Sequence, residues 1–426
     1  MTQTAKSREV LLVGPIRRLL EQSDGRERRS AIQRFFAQLE RSDRKWLVVN
    51  HPELIGGVNG VPLAIRFAAN RVIVARALDR VEWERASLVE AIDRRVSVLS
   101  YESNSIAREL EQRRLRHAHA DVATLDRQIE RYRELLEPRV ESSGRTVKRQ
   151  FLRVDPYALR SGAIVEVIGD LESAGSVAVI IPGATQNFFT HRHSRKRAER
   201  LHDACASLDA RANTAIIAWT GYDSPQRKLD GLRSPHARSA APLLLSDIEG
   251  LELPAHVVTT VIGHCYGARP IAHALRLGLK VDNVVLAGHL GMDFSALGRD
   301  DAGEGLRFYA LLARGDWAKW FRGVGLDPDG IGVNAFPLRT GPSVTGHLQY
   351  WKLDSESLMN QAQVVTNHPD RATYLRFASV PEPLAKAALS PRSLAVLPGA
   401  ADRLEQSSTR PSDRPDRGSS GIAVGF

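Results

Sequence analysis

The 426-residue sequence predicts an α/β fold: a mostly parallel sheet flanked by helices and preceded by an α-helical N-terminal region. Three observations predict it. Helical periodicity with dense charge runs to about residue 145, and from Thr146 the period changes to short apolar runs separated by turns or helical segments. That alternation is what a doubly wound sheet requires. The third observation is Gly263-His264-Cys265-Tyr266-Gly267, which follows the apolar run Val257 to Ile262 and precedes the helix-like stretch Arg269 to Leu277.

Taken in chain order, Ala31 to Leu39, Pro62 to Leu78 and Leu125 to Leu136 read as amphipathic helices, with Pro62 suited to a first helical turn. The long charged pattern from Trp83 to Leu136 predicts a helical hairpin or a coiled-coil contact, so the N-terminal helices are where a protein partner would bind. Strands are expected at Val147–Val154, Ala163–Ile168, Val177–Ile181, Thr214–Trp219, Val257–Ile262, Val281–Ala287 and Leu306–Leu312. The expected organisation is a helical region over 1–145, an α/β domain over 146–385 and a disordered tail over 386–426, rich in Ser, Pro, Arg and Asp.

With 43% hydrophobic and 25% charged residues, the composition is that of a globular protein with a sizeable core. The net charge of +10 is carried largely by arginine, and without a recognisable nucleic-acid motif it predicts solvated surface and no nucleic-acid partner. No apolar run reaches membrane-spanning length and the N-terminus lacks a signal-like segment, so a soluble, cytoplasmic protein is expected. Only two cysteines, Cys205 and Cys265, exclude a disulfide scaffold or a cysteine-rich zinc site, and no metal or cofactor is expected. Cys205 lies mid-pattern in Ala198 to Leu208 and reads as a small buried hydrophobe.

Cys265 stands between two glycines on a strand–turn–helix, where its side chain is exposed on a strained turn and larger neighbours would collide with the flanking elements. The helix N-terminus there favours a thiolate, and the Tyr266 N–H becomes an oxyanion donor. Chains built on such an elbow supply nucleophile, acid and base in that order. Asp316, after the strand at Leu306–Leu312, is the preferred acid and Asp293 the competitor. His347, in the glycine-rich loop Thr340 to His347, is the base. A second oxyanion donor is expected from Ala184 or Thr185 in the loop Ile180 to Asn187. Tyr222 and Asp223, within Trp219 to Pro225, and His264 in the elbow are candidates for substrate contact. The basic run His191 to Arg197 would lie near the cleft entrance, either attracting an anionic substrate or serving as a solvated helix start. His191 and His193 form an H-x-H pair but lack a third metal ligand nearby.

Trp219-Thr220-Gly221-Tyr222-Asp223-Ser224-Pro225, the elbow, and Gly346-His347-Leu348-Gln349-Tyr350-Trp351 with Ser355 to Asn360 together resemble a family of bacterial α/β-hydrolases catalogued as a domain of unknown function. His51 to Pro62, followed by Asn70-Arg71, resembles the helical region those proteins carry before the hydrolase core. The resemblance spans about residues 45 to 368 and implies the α/β-hydrolase fold and a Cys265–His347–Asp316 triad. It implies no substrate. Cys265 departs from the family pattern, in which the elbow residue is serine, and is similar in this to dienelactone-hydrolase-like enzymes. The expectation is therefore an enzyme that cleaves a small-molecule or lipid-like acyl ester or thioester through an acyl-cysteine. An acyltransferase using the same triad, or a degenerate hydrolase-fold scaffold, are the alternatives.

Overall fold

The computed structural model describes residues 8–23, 25–99, 104–141, 144–158, 162–209, 211, 213–226, 235–289, 305–318 and 335–375. The helical region and the sheet belong to one compact unit, and the expected tail over 386–426 lies outside the described residues.

The helical region comprises α1 (Gly14–Leu20), α2 (Arg26–Gln38), α3 (Arg41–Asn50), α4 (Pro52–Ile55), α5 (Leu63–Leu99) and α6 (Ser105–Leu136). Pro62 starts α5 by accepting from the N–H groups of Ile65 and Arg66. The two helical stretches expected at Pro62–Leu78 and from Trp83 are one helix, since nothing between them is a glycine or proline that would break it. Asn104 caps α6 through Oδ1, which accepts from Ile106 N and Ala107 N at 3.0 and 3.2 Å. The two long helices form the expected hairpin, joined by Ile73, Val74, Ala77 and Val81 against Leu125, Ile129, Tyr132 and Leu135. No helix among the described residues is long and apolar enough to cross a membrane.

A two-residue ribbon, β1 (Arg139–Val140) and β2 (Thr146–Val147), leads into the main sheet. Its strands are β3 (Gln150–Asp155), β4 (Ala163–Ile168), β5 (Ser176–Ile181), β6 (Thr214–Thr220), β7 (Val258–His264), β8 (Asn283–Ala287), β9 (Arg307–Leu311) and β10 (Ala335–Leu338), in the order β10-β9-β8-β7-β5-β6-β4-β3. Only β4 runs against its neighbours; all other pairs are parallel. The strand expected at Val147–Val154 is interrupted between β2 and β3, where Arg149 turns inward and donates from Nε and Nη2 to both oxygens of Glu166, each at 2.7 Å.

β3 is an edge strand whose backbone groups need partners. α5 provides them. Asn70 Nδ2 donates to Phe151 O at 2.7 Å, its Oδ1 accepts from Val154 N at 2.9 Å, and Arg66 Nη2 donates to Leu152 O at 2.9 Å. The parallel strands, buried on both sides, are covered by α7 (Arg192–Leu208), α8 (His236–Glu249), α9 (Ala268–Arg276) and α10 (Glu356–Val365). The central core joins Val177, Val179, Ile217, Val261 and Leu286 to Leu244, Ile271 and Leu275 of the helices.

Candidate active site

β7 ends at His264 and α9 begins at Ala268, which leaves three residues to reverse the chain. Cys265 accordingly takes φ 55°, a left-handed value that side chains rarely adopt. The glycines permit the crowding this requires: a Cβ on Gly263 would sit 2.9 Å from Ala268 Cα, and one on Gly267 would overlap Ile181 O. The elbow thus lies at the C-terminal edge of the sheet, between the ends of β5 and β8.

Two loops from the same edge bring the other groups to it. The turn after β9 carries Asp316, fully buried, and the loop between β10 and α10 carries His347. His347 Nδ1 donates to the Asp316 carboxylate, 2.8 Å from Oδ1 and 2.9 Å from Oδ2. Tyr350 Oη also donates to Oδ2, and Ala318 N donates to Oδ1 at 2.8 Å. The Tyr350 hydroxyl in turn accepts from Ala313 N at 3.0 Å. Gln349 Oε1 braces the His347 loop by accepting from Thr345 N and Gly346 N at 2.9 and 3.2 Å. Trp317 packs on the His347 ring, centroids 4.5 Å apart.

The second ring nitrogen of His347, Nε2, is buried with no hydrogen-bond partner among the described residues, and the nearby Cys265 thiol acts on the imidazole electrostatically. Burial pulls the His347 pKa down, but the Asp316 hydrogen bond, then the Cys265 thiol, outweigh it and push the value up to about 9. Burial acts to raise the Asp316 pKa; the hydrogen bonds from His347, Tyr350 and Ala318 overcome it and hold the carboxyl below its usual value.

His264 holds the His347 backbone in place. Its Nε2 donates to His347 O at 2.8 Å while Nδ1 accepts from Arg197 Nη1 at 3.2 Å, an arrangement that only the neutral imidazole satisfies. Burial, then the Arg197 and His347 charges, keep its pKa well below the ordinary histidine value. Above these groups a cavity of about 800 Å³ opens, floored by Cys265, Tyr266 and His347 and walled by Gly183, Ala184, Trp317 and Trp351.

Residues 155–321 match the model of a family described as alpha/beta hydrolase. The chain has the α/β-hydrolase fold. An uncharacterised Mycobacterium tuberculosis protein is 27% identical over 378 residues, covering 80% of this chain and 56% of that protein. An uncharacterised Mycobacterium bovis protein is 29% identical over 154 residues, 34% of this chain and 58% of that one. The chain therefore spans little more than half the length of these relatives. Among solved structures, a dienelactone hydrolase-like promiscuous phosphotriesterase from metagenomic libraries is 19% identical, with a TM-score of 0.30, over 47% of this chain and 82% of that one.

On the hydrolase fold, Cys265, His347, Asp316, Tyr266, Ala184 and His264 gather at one place. Other expectations need correction. The Thr185 N–H donates to Pro225 O at 2.8 Å and so is committed to holding the loop, whereas the Ala184 N–H makes no hydrogen bond among the described residues. Tyr222 does not line the cavity: it stacks between Trp219 and Tyr266 and donates from Oη to Pro182 O at 2.8 Å, propping up the loop after β5. Asp223 also lies away from the cavity and faces His236. His191 is buried among Glu166 and Thr220, while His193 reaches the cavity, so the H-x-H pair diverges. Asp293 lies outside the described residues. The contributions of Tyr350 and Trp317 escaped the sequence reading, which placed Arg197 in a basic run near the cleft but did not anticipate its hydrogen bond to His264. For Arg197 a signal exists, because it repeats the helical spacing of His193 along α7.

Proposed function

We propose that this protein is a hydrolase of esters or thioesters that works through a covalent acyl-cysteine. The observation carrying this reading is His347, held by Asp316 at Nδ1 and presenting Nε2 toward a cysteine on a strained elbow. Cys265 sulfur attacks the acyl carbonyl, its proton residing on His347 Nε2. The tetrahedral oxyanion is received by the backbone N–H groups of Ala184 and Tyr266, the first beside Gly183, where a Cβ would come within 2.8 Å of Cys265 Cβ and close the approach. His347 passes the proton to the departing alcohol or thiol. Water then attacks the acyl-cysteine, giving a proton to the neutral imidazole, and the carboxylic acid leaves.

A sulfur nucleophile expels thiolates and activated alcohols more readily than amines, so thioesters and activated esters fit the site better than amides. The test is intact-protein mass spectrometry after mixing with acyl-thioester and p-nitrophenyl-ester panels, alongside turnover. Wild type should gain one acyl mass on Cys265 and turn over; Cys265→Ala should do neither, with an unaltered circular dichroism spectrum. Turnover retained in Cys265→Ala on every accepted substrate would overturn the mechanism.

A further inference from the structure

α7 presents His193, Lys196, Arg197 and Arg200 to the cavity, four basic residues at the i, i+3, i+4 and i+7 positions of one helix face. The cavity lining contains no Asp or Glu among the described residues. Arg197 lies deepest, its guanidinium carbon 4.9 Å from the centroid of Trp351 and its Nη1 bound to the neutral His264. Arg200 donates to Trp351 O at 3.0 Å, a neutral carbonyl, and Lys196 and His193 make no ion pair among the described residues. The neighbouring Arg195, one position away on the same helix, is treated differently: it meets Glu134 at 3.1 Å and Glu199 at 3.8 Å. Unlike that arginine, the cavity-facing cations have no carboxylate to neutralise them, and they face the space above the thiol.

We infer that this face of α7 binds the anionic group of the substrate, so that the site takes acyl esters or thioesters carrying a carboxylate or a phosphate. The inference deepens the hydrolase reading and rests on it for the word substrate. Positive charge walled by low-dielectric surfaces concentrates anions at the thiol and orients them, with Lys196 and Arg200 at the rim and Arg197 inside, and His193 beside them as a neutral hydrogen-bonding group. The same field disfavours protonated His193, whose pKa is lowered by burial and then by Arg192, Arg197 and Lys196.

The experiment has two arms. In the first, Cys265 alkylation by iodoacetate and by iodoacetamide is timed by mass spectrometry, a probe of the field that needs no turnover. The iodoacetate-to-iodoacetamide rate ratio should fall at least about threefold in Lys196→Gln/Arg200→Gln and in about 1 M salt. It should hold in Arg195→Gln, whose charge is already paired. In the second arm, kcat/KM is compared within matched pairs: p-nitrophenyl hemiglutarate against its methyl ester, and acetyl-coenzyme A against acetyl-N-acetylcysteamine. The anionic member should lead, and the double variant should shrink that lead about tenfold. The ester pair reports carboxylate recognition and the thioester pair phosphate recognition. Ratios unmoved in the double variant, or moved equally by Arg195→Gln, or a Cys265 that neither reagent reaches, overturn the inference. Alkylation ratios that fall while no ester is cleaved would leave the anion site standing and remove the hydrolase reading instead.

Discussion

Two neighbours raise the His347 pKa against the pull of burial, Asp316 through its hydrogen bond at Nδ1 and then Cys265. In the proposed mechanism, acylation would turn the sulfur into a neutral thioester and remove the second of these. The imidazole then has only Asp316 to hold its proton, so its pKa falls below the value of about 9 it has in the free site. The sign suits the two proposed half-reactions: a protonated imidazole would accompany an attacking sulfur, and a neutral one would be available as base once water must be activated. We expect the apparent pKa of deacylation, from kcat under burst conditions, to lie below the pKa of His347 in the free protein followed by NMR. Equal values would mean that Cys265 does not set the proton affinity of its partner. Asp316→Asn should lower turnover by about 10³- to 10⁴-fold, because the amide no longer holds the Nδ1–H tautomer.

The strand–elbow–helix unit is the element on which this residue chemistry depends, and its glycines are its weak points. A Cβ on Gly267 would overlap the Ile181 and Pro182 carbonyl oxygens, which are backbone atoms and cannot swing aside. Gly267→Ala should therefore lower the thermal midpoint markedly and slow Cys265 alkylation, while Gly25→Ala, with nothing near its added Cβ and an extended backbone, should leave the labelling rate alone. Equal alkylation rates in Gly267→Ala and wild type would show that the elbow can relax around the methyl group. This element was legible in the sequence because its requirements are local: an apolar β-branched strand, small residues at fixed offsets and a helix immediately after. His347 and Asp316 were legible by chain order and by their places after strands. Tyr350 and Trp317 were not, and Arg197 was legible only as part of a basic run near the cleft, since the contacts they make on Asp316, His347 and His264 join loops and helices far apart in sequence. Thr185 failed for a related reason: its N–H is claimed by Pro225, forty residues on.

At the scale of the whole molecule, the helical region is joined to the hydrolase core by polar groups buried at the seam, and these make stability depend on pH. Asn70 and Arg66 complete the edge of β3, while Arg149 and His191 converge on Glu166 behind it. His191 donates from Nε2 to Glu166 and pairs through Nδ1 with the Thr220 hydroxyl, which can donate to the neutral ring. Burial brings its pKa down to about 4, against the partial support of Glu166, and His264 is lowered in the same direction. Between about pH 6.5 and 4 the unfolded chain takes up protons that these folded histidines refuse, so acidification costs about 1.4 kcal/mol per pH unit for each fully excluded proton. Glu166 does not oppose this, since Arg149 keeps its carboxyl ionised far below that window. His347 works in the other direction: its contribution is complete below its unfolded pKa of about 6.5 and is lost as pH rises through about 9. Denaturant midpoints measured from pH 4.5 to 9.5 should peak near neutrality, with His191→Gln flattening the acid limb and His347→Gln the alkaline one. An acid limb as steep in His191→Gln as in wild type would remove the buried histidine at the seam as a source of that dependence.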